Sequence, residues 1–168
     1  MKKISHKAFV ILLFALLCNT EAKSQLKGVP GATTKWIVNE QNDVKVHRKL
    51  YFGNILANEP VTYKSGSAIA EIIIRNKNGI NEAIFRVDKG HFKHNASKAD
   101  IKARFDREKP VVYHCTISEE VLNNLVITDA NQFISKLKTS KKLTIEASFE
   151  NEGNKSIKFD VEGLKWDH

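Results

Sequence analysis

Residues 143–161 read LTIEASFENEGNKSIKFDV, and a glycine-containing turn divides this stretch into two short runs. Apolar and polar residues alternate on both sides of Glu152-Gly153-Asn154, the apolar ones being Leu143, Ile145, Ala147, Phe149, Ile157, Phe159 and Val161. A period of two places alternate side chains on opposite faces of a strand. The stretch therefore predicts a β-hairpin with one buried face.

Four further segments upstream are predicted strands. Residues 69–75 and 80–87 are rich in isoleucine and flank Asn78-Gly79, a dipeptide that adopts the positive φ of a tight hairpin turn. Residues 101–105 and 111–117 are also predicted strands, and Pro110 marks the bend between them. Strands with turns about every ten residues favour antiparallel pairing.

One segment has a helical period instead. Ala130, Phe133, Ile134 and Leu137 recur at i, i+3, i+4 and i+7, which predicts an amphipathic helix near residues 129–138. Asp129 is the predicted N-cap and Gln132 its capping-box partner. The predicted fold class is therefore all-β, an antiparallel β-sandwich with one short amphipathic helix.

The N-terminus has the features of an export signal. Lys2, Lys3 and Lys7 precede the apolar run 8–17, which is too short for a membrane span of about 20 residues. Ala22-Lys23-Ser24 is a small-x-small cleavage pattern. We expect a signal peptide at 1–24, a flexible lead-in at 25–34 and a single β-sandwich domain at 35–168. Lipidation of Cys18 is disfavoured because Leu17 precedes it.

Composition limits the class of protein. The chain has 168 residues with 27 Lys and Arg against 19 Asp and Glu, which excludes collagen, a disulfide-dense scaffold and a disordered chain. Cleavage after Ser24 leaves 23 basic and 18 acidic residues and removes Cys18, so Cys115 is the remaining cysteine. A periplasmic or secreted basic protein is expected to meet anionic cell-wall or lipid surfaces or an envelope protein, and not nucleic acid. The mature chain contains no predicted transmembrane segment.

A lysine cluster is the main candidate contact surface. Lys136, Lys138, Lys141 and Lys142 lie on the helix and its exit turn, so their ammonium groups concentrate positive charge. Such a surface either binds an anionic partner or keeps the polar side of a helix hydrated. Both interpretations remain open from the sequence.

Other polar groups indicate no catalysis. His91 and His94 have a spacing that can hold a metal in a helix, but their lysine-rich context favours exposed loop residues. His114 and Cys115 are neighbours on a predicted strand, so their side chains point to opposite faces. Asp106 and Glu108 lie close to arginines and favour a hydrated ion-pair cluster. We expect no enzyme activity, no cofactor and no metal, because the best-marked hydrolase, zinc and phosphate-binding motifs are absent from the sequence.

The order of motifs in the second half resembles the VasI/TagO family of small exported proteins associated with type VI secretion. The resemblance covers about residues 69–166, and its motifs follow the family's R-F-D, F-I-x-x-L and F-x-x-x-G-L series. Its fold-signature residues are Arg104, Phe105, Asp106, Phe133, Ile134, Phe159, Gly163 and Leu164. Family members often have a cysteine where this chain has Asn76 or a close neighbour.

The resemblance implies a non-enzymatic β-sandwich accessory protein of the cell envelope. An alternative function is a small ligand-binding or carbohydrate-binding module, in which Trp36, Tyr51, Tyr63 or Trp166 forms an exposed aromatic platform. A third alternative is a hydrolase with dispersed carboxylates converging in one cleft.

Overall fold

The computed structural model describes residues 35–43, 48–118 and 121–168. The predicted signal peptide and lead-in, with the proposed cleavage site and Cys18, lie outside these residues.

Eleven strands and one helix make up the described part of the chain. In chain order they are β1 Ile37–Asp43, β2 Arg48–Leu56, β3 Val61–Tyr63, β4 Gly66–Ala68, β5 Ala70–Lys77, β6 Ile80–Val87, β7 Lys98–Phe105, β8 Val111–Ser118, β9 Val121–Ile127, α1 Ala130–Thr139, β10 Lys142–Phe149 and β11 Gly153–Asp160.

Nine of these strands form one antiparallel sheet. Its order is β1-β2-β5-β6-β9-β8-β7-β10-β11, and β3 and β4 make a separate two-stranded hairpin. The sheet curves so that its two ends meet at one corner. There the Asn58 amide donates to the Lys158 carbonyl at 2.8 Å, and the Trp36 indole donates to the Val161 carbonyl at 2.9 Å.

Alternation of side chains builds the core. β5 and β10 bury every second residue, because one face of each strand turns inward. The Phe85 ring on β6 meets the Phe159 ring on β11 edge-on, with centroids 6.3 Å apart. Since β6 and β11 lie far apart in the sheet order, this contact joins two facing layers. The all-β, sandwich-like fold class is thus as predicted.

The helix packs its apolar face against the sheet. Ala130, Phe133, Ile134 and Leu137 are its buried residues, and the Phe133 ring contacts the rings of Phe105 and Tyr113. Asp129 occupies the N-cap position, but its side chain makes no capping hydrogen bond. The predicted capping box with Gln132 is therefore wrong, and packing of the apolar face holds the first turn instead.

Both predicted hairpins are confirmed. β5 and β6 pair from Ala70↔Val87 to Lys77↔Ile80, and β10 and β11 pair from Lys142↔Asp160 to Phe149↔Gly153. The sequence pattern does not locate five strands individually, namely β1, β2, β3, β4 and β9. Their residues lack the regular alternation that marks a strand with one buried face.

Candidate functional site

Three lysines of the predicted basic cluster are each paired with a carboxylate. Lys136 Nζ lies 2.7 Å from Glu108, Lys138 Nζ lies 3.0 Å from Asp167, and Lys141 Nζ lies 3.0 Å from Glu162. The bond to Glu162 raises the pKa of Lys141. Lys142 begins β10 opposite Asp160 in the register. An anionic partner would therefore compete with three carboxylates of the protein itself, and binding through this cluster stays a prediction.

Asp106 of the R-F-D series connects β7 to the end of the helix. β7 ends at Phe105, and Asp106 adopts a left-handed conformation with φ 48°. Its carboxylate accepts hydrogen bonds from the backbone amides of Lys141 at 3.0 Å and Lys142 at 2.8 Å. Among the described residues, the Asp106 carboxylate therefore bonds these backbone amides and forms no ion pair with a neighbouring arginine.

The remaining fold-signature residues divide into packing and turn positions. Arg104 is exposed on β7, and Gly163 has φ 85° in the turn after β11. The buried members are Phe105, Phe133, Ile134, Phe159 and Leu164. Their burial gives each of them a packing role.

His114 and Cys115 point to opposite sides of β8. Cys115 is 2% exposed, and burial raises the pKa of its thiol to about 12. His114 is exposed and its Nδ1 lies 2.8 Å from Asp100 Oδ1. The imidazole is therefore not placed to deprotonate the thiol.

His91 and His94 lie in an extended segment, with buried Phe92 between them. Phe92 bridges to Phe149 in an isolated β-bridge, so the helical geometry required for a His-x-x-His pair is missing. Within the described ranges, no group of three or more His, Cys, Asp or Glu side chains is arranged to hold a metal ion.

The four aromatic residues of the alternative binding platform have different surroundings. Trp36 and Trp166 are buried, at 7% and 2% exposure. The Tyr51 ring is stacked on His168 with centroids 3.6 Å apart, and Tyr63 lines a concavity of about 440 Å³ beside His91. These residues therefore do not form one exposed, coplanar surface.

The two ends of the large sheet differ in their protection. Along β11, Asn58 covers the outer edge, because its amide donates to Lys158 and its side-chain oxygen accepts from the Asp160 amide at 3.1 Å. Lys35 adds an ion pair with Asp160 at 2.7 Å. The C-terminal half of β11 is thus closed to a further strand.

β1 has no such cover within the part of the chain that the structure describes. It pairs with β2 on one side, and residues 37–41 are all exposed. Ile37 and Val38 are 38% and 44% exposed, and they lie on opposite faces of the strand. β1 is therefore an open edge with apolar side chains on both faces. No sequence pattern marks this edge, because edge position depends on which strands pair.

No family model matches the sequence, and no curated protein matches it. Among solved structures, the crystal structure of invasion associated protein B from Bartonella henselae has a TM-score of 0.46 and 15% identity. That match covers 77% of this chain and 85% of the other. Similarity at this level assigns no function. Of the helices in the described residues, none is long and apolar enough to cross a membrane.

Proposed function

We propose that this protein is an exported, non-enzymatic accessory protein of the cell envelope or of a secretion apparatus, a proposal supported by the resemblance to the VasI/TagO family. It acts by binding an extended segment of another envelope protein along β1. The observation that carries the proposal is the contrast between the open β1 edge and the covered end of β11.

An open edge supports binding because its outward backbone N–H and C=O groups can pair with an added strand. Natural proteins commonly protect such edges with lysine, proline or a covering segment. β1 carries neither lysine nor proline. The carboxylate of Glu40 on β1 is paired with the Lys49 ammonium at 2.8 Å. Ile37 and Val38 add apolar contacts on the two faces.

The pattern along β1 favours a foreign strand over a second copy. Apolar residues lie at the start of β1 and polar ones follow. Antiparallel pairing of two complete β1 strands, centred on Glu40, places Ile37 opposite Asp43 and Val38 opposite Asn42. Both juxtapositions leave an apolar residue against a polar one, so a partner strand with apolar residues opposite Ile37 and Val38 fits better.

The test is capture of partners from an envelope extract with the chain as processed by the cell. Bound proteins are identified by mass spectrometry at low and high salt, and hydrogen exchange then locates the bound segment. We expect a specific envelope or secretion-apparatus protein that slows exchange in residues 37–43.

Substitution separates edge binding from general adhesion. Val38→Lys places a charge on the open edge and is expected to abolish capture. Ile80→Lys is the matched control, because Ile80 is 67% exposed beside the β5–β6 turn. Capture that survives Val38→Lys would contradict strand addition. Binding belongs to the lysine cluster instead if capture is lost at high salt and is also lost in a double variant carrying Lys136→Gln and Lys142→Gln.

A further inference from the structure

A polar notch opens where β7 and β10 separate. The two strands pair only between residues 102–105 and 143–146. Beyond this point the segment before β7 runs beside β10, where the Lys93 amide donates to the Ser148 carbonyl at 2.9 Å. The resulting concavity has a volume of about 580 Å³, within the usual range for small-molecule sites.

A tight turn fixes one wall of this notch. Asn95 and Lys98 exchange backbone hydrogen bonds at 2.8 and 3.0 Å. Ala96 and Ser97 between them have φ of 45° and 61°, a conformation that costs energy without glycine. The turn holds Asn95 and Lys98 at the rim in a defined geometry.

Hydrogen-bond donors outnumber acceptors in the notch. Lys93 and Lys98 line it, and neither ammonium has an ion-pair partner among the described residues. The notch has one carboxylate, Asp100, which is engaged by His114 at 2.8 Å. His94 also lines the notch, and its Nδ1 atom is buried with no hydrogen-bond partner in the described structure.

The arrangement does not form a serine nucleophile triad. Ser148, Asp100 and His114 all line the notch, but they lie on three successive strands with Asp100 in the middle. Strands are about 4.8 Å apart, so the serine and the histidine are separated by about 10 Å across β7. A triad needs the histidine next to the serine.

We infer that this notch binds a phosphate group. Two ammonium groups without an ion-pair partner among the described residues supply the charge, and the Asn95 side-chain amide and the histidines supply directional hydrogen bonds. The Ser148 hydroxyl is not counted among the donors, because it donates to Asn154 Oδ1 at 2.5 Å. The volume leaves room for the organic part of a phosphate monoester. This site is independent of the β1 edge, because it lies among β7, β8 and β10.

The experiment is a titration of the ¹⁵N-labelled chain, as processed by the cell, at constant ionic strength. The probes are inorganic phosphate, glycerol 3-phosphate, and vesicles of phosphatidic acid compared with phosphatidylcholine. We expect saturable shifts in the amides of residues 93–100 and of His114. Binding of the soluble probes indicates a free phosphate ligand, whereas binding of phosphatidic acid vesicles alone indicates a lipid headgroup.

Variants test whether the notch lysines carry the binding. Lys93→Gln with Lys98→Gln is expected to weaken phosphate binding at least tenfold. Lys77→Gln with Lys158→Gln removes the same charge from exposed strand positions elsewhere and is expected to leave binding unchanged. All four lysines are exposed, so both variants should fold, and dispersed amide spectra verify this. Absence of saturable shifts with every probe, or equal weakening in both variants, would overturn the inference.

Discussion

Asp106 shows how one side chain can join two distant segments. Its carboxylate accepts hydrogen bonds from two backbone amides after the helix, those of Lys141 and Lys142. Its own backbone amide donates to the Lys142 carbonyl at 2.8 Å. A carboxylate at this position therefore fixes the start of β10 against the end of β7. Within the R-F-D series, Phe105 is therefore a packing residue and Asp106 a backbone-bonding one.

Replacement of Asp106 by alanine should lower the free energy of unfolding by about 1.5–3 kcal/mol, since hydrogen bonds to a charged group are lost. Asp106→Asn keeps an acceptor and tolerates positive φ, so its loss should be smaller. Asp129→Ala is the matched control, because Asp129 makes no capping bond. Urea unfolding at pH 7 measures all three. An equal loss in Asp106→Ala and Asp129→Ala would contradict the bonding role.

Cys115 should be chemically inert in the folded protein. A pKa of about 12 leaves about one thiol in ten thousand ionised at pH 8, and burial blocks access as well. We expect iodoacetamide to leave Cys115 unmodified in buffer at pH 8 and to alkylate it fully in urea. Mass spectrometry of the Cys115 peptide gives the readout. Rapid alkylation in buffer would show that β8 opens locally or that the thiol is accessible.

At the scale of elements, the β5–β6 turn depends on two successive residues in the left-handed backbone conformation. Asn78 has φ 58° and Gly79 has φ 80°. Buried Asn76 completes the turn, because its side chain accepts from the Gly79 amide at 3.0 Å and donates to Asn81 at 2.9 Å. These bonds explain why an asparagine suits position 76.

Gly79→Ala isolates the conformational cost of this turn. A Cβ at Gly79 meets no atom within 4 Å, so the penalty comes from the backbone alone. We expect a loss of about 1–2 kcal/mol in the free energy of unfolding. Gly79→Asn should cost less, because asparagine visits positive φ more readily. Urea unfolding at pH 7 measures both variants, and alanine tolerated as well as asparagine would show that the turn relaxes to another type.

Two of the elements found from the sequence share one physical property. The β10–β11 hairpin and α1 each bury a single face, so burial leaves a period of two or of 3.6 in the residues. The β5–β6 hairpin is marked instead by the Asn78-Gly79 turn between two isoleucine-rich runs. β1 is exposed on both faces and therefore has no such period. Edge position, the β7–β10 notch and the lysine ion pairs arise from contacts between residues distant in sequence. Residue order alone does not reveal which distant segments meet.

At the scale of the molecule, closure of the sheet makes the stability of the fold depend on the protonation of Asp160. The ends of the sheet meet where Lys35 and Asn58 contact Asp160. The hydrogen bond from Lys35, and to a smaller extent the one from Asn58, lowers the pKa of the Asp160 carboxyl. A lowered pKa stabilises the fold above pH 3.8, and this contribution is lost as the pH falls through the folded value. Closure of the corner should therefore weaken in acid.

Alkaline conditions should weaken the fold through a different set of groups. Burial raises the pKa of Tyr63 from 10.0 to about 12 and that of Cys115 from 9.0 to about 12, and it also raises the pKa of Tyr113. The unfolded chain releases these protons at lower pH than the folded chain does. Stability is therefore full below about pH 8 and falls as the pH rises from about 9 toward 12.

The expected result is a Tm that is level between pH 7 and 8 and declines steadily from pH 9 to 11, measured by circular dichroism. Tyr63→Phe removes one of the three groups, and its Tm should decline less steeply over the same range. The Tyr63 hydroxyl donates to the Lys89 carbonyl at 3.3 Å, so this variant also starts from a slightly lower Tm at pH 7. The slope against pH, and not the starting value, therefore reports the linkage. A slope equal to that of the wild type would show that the Tyr63 hydroxyl is hydrated and ionises alike in the folded and unfolded chains.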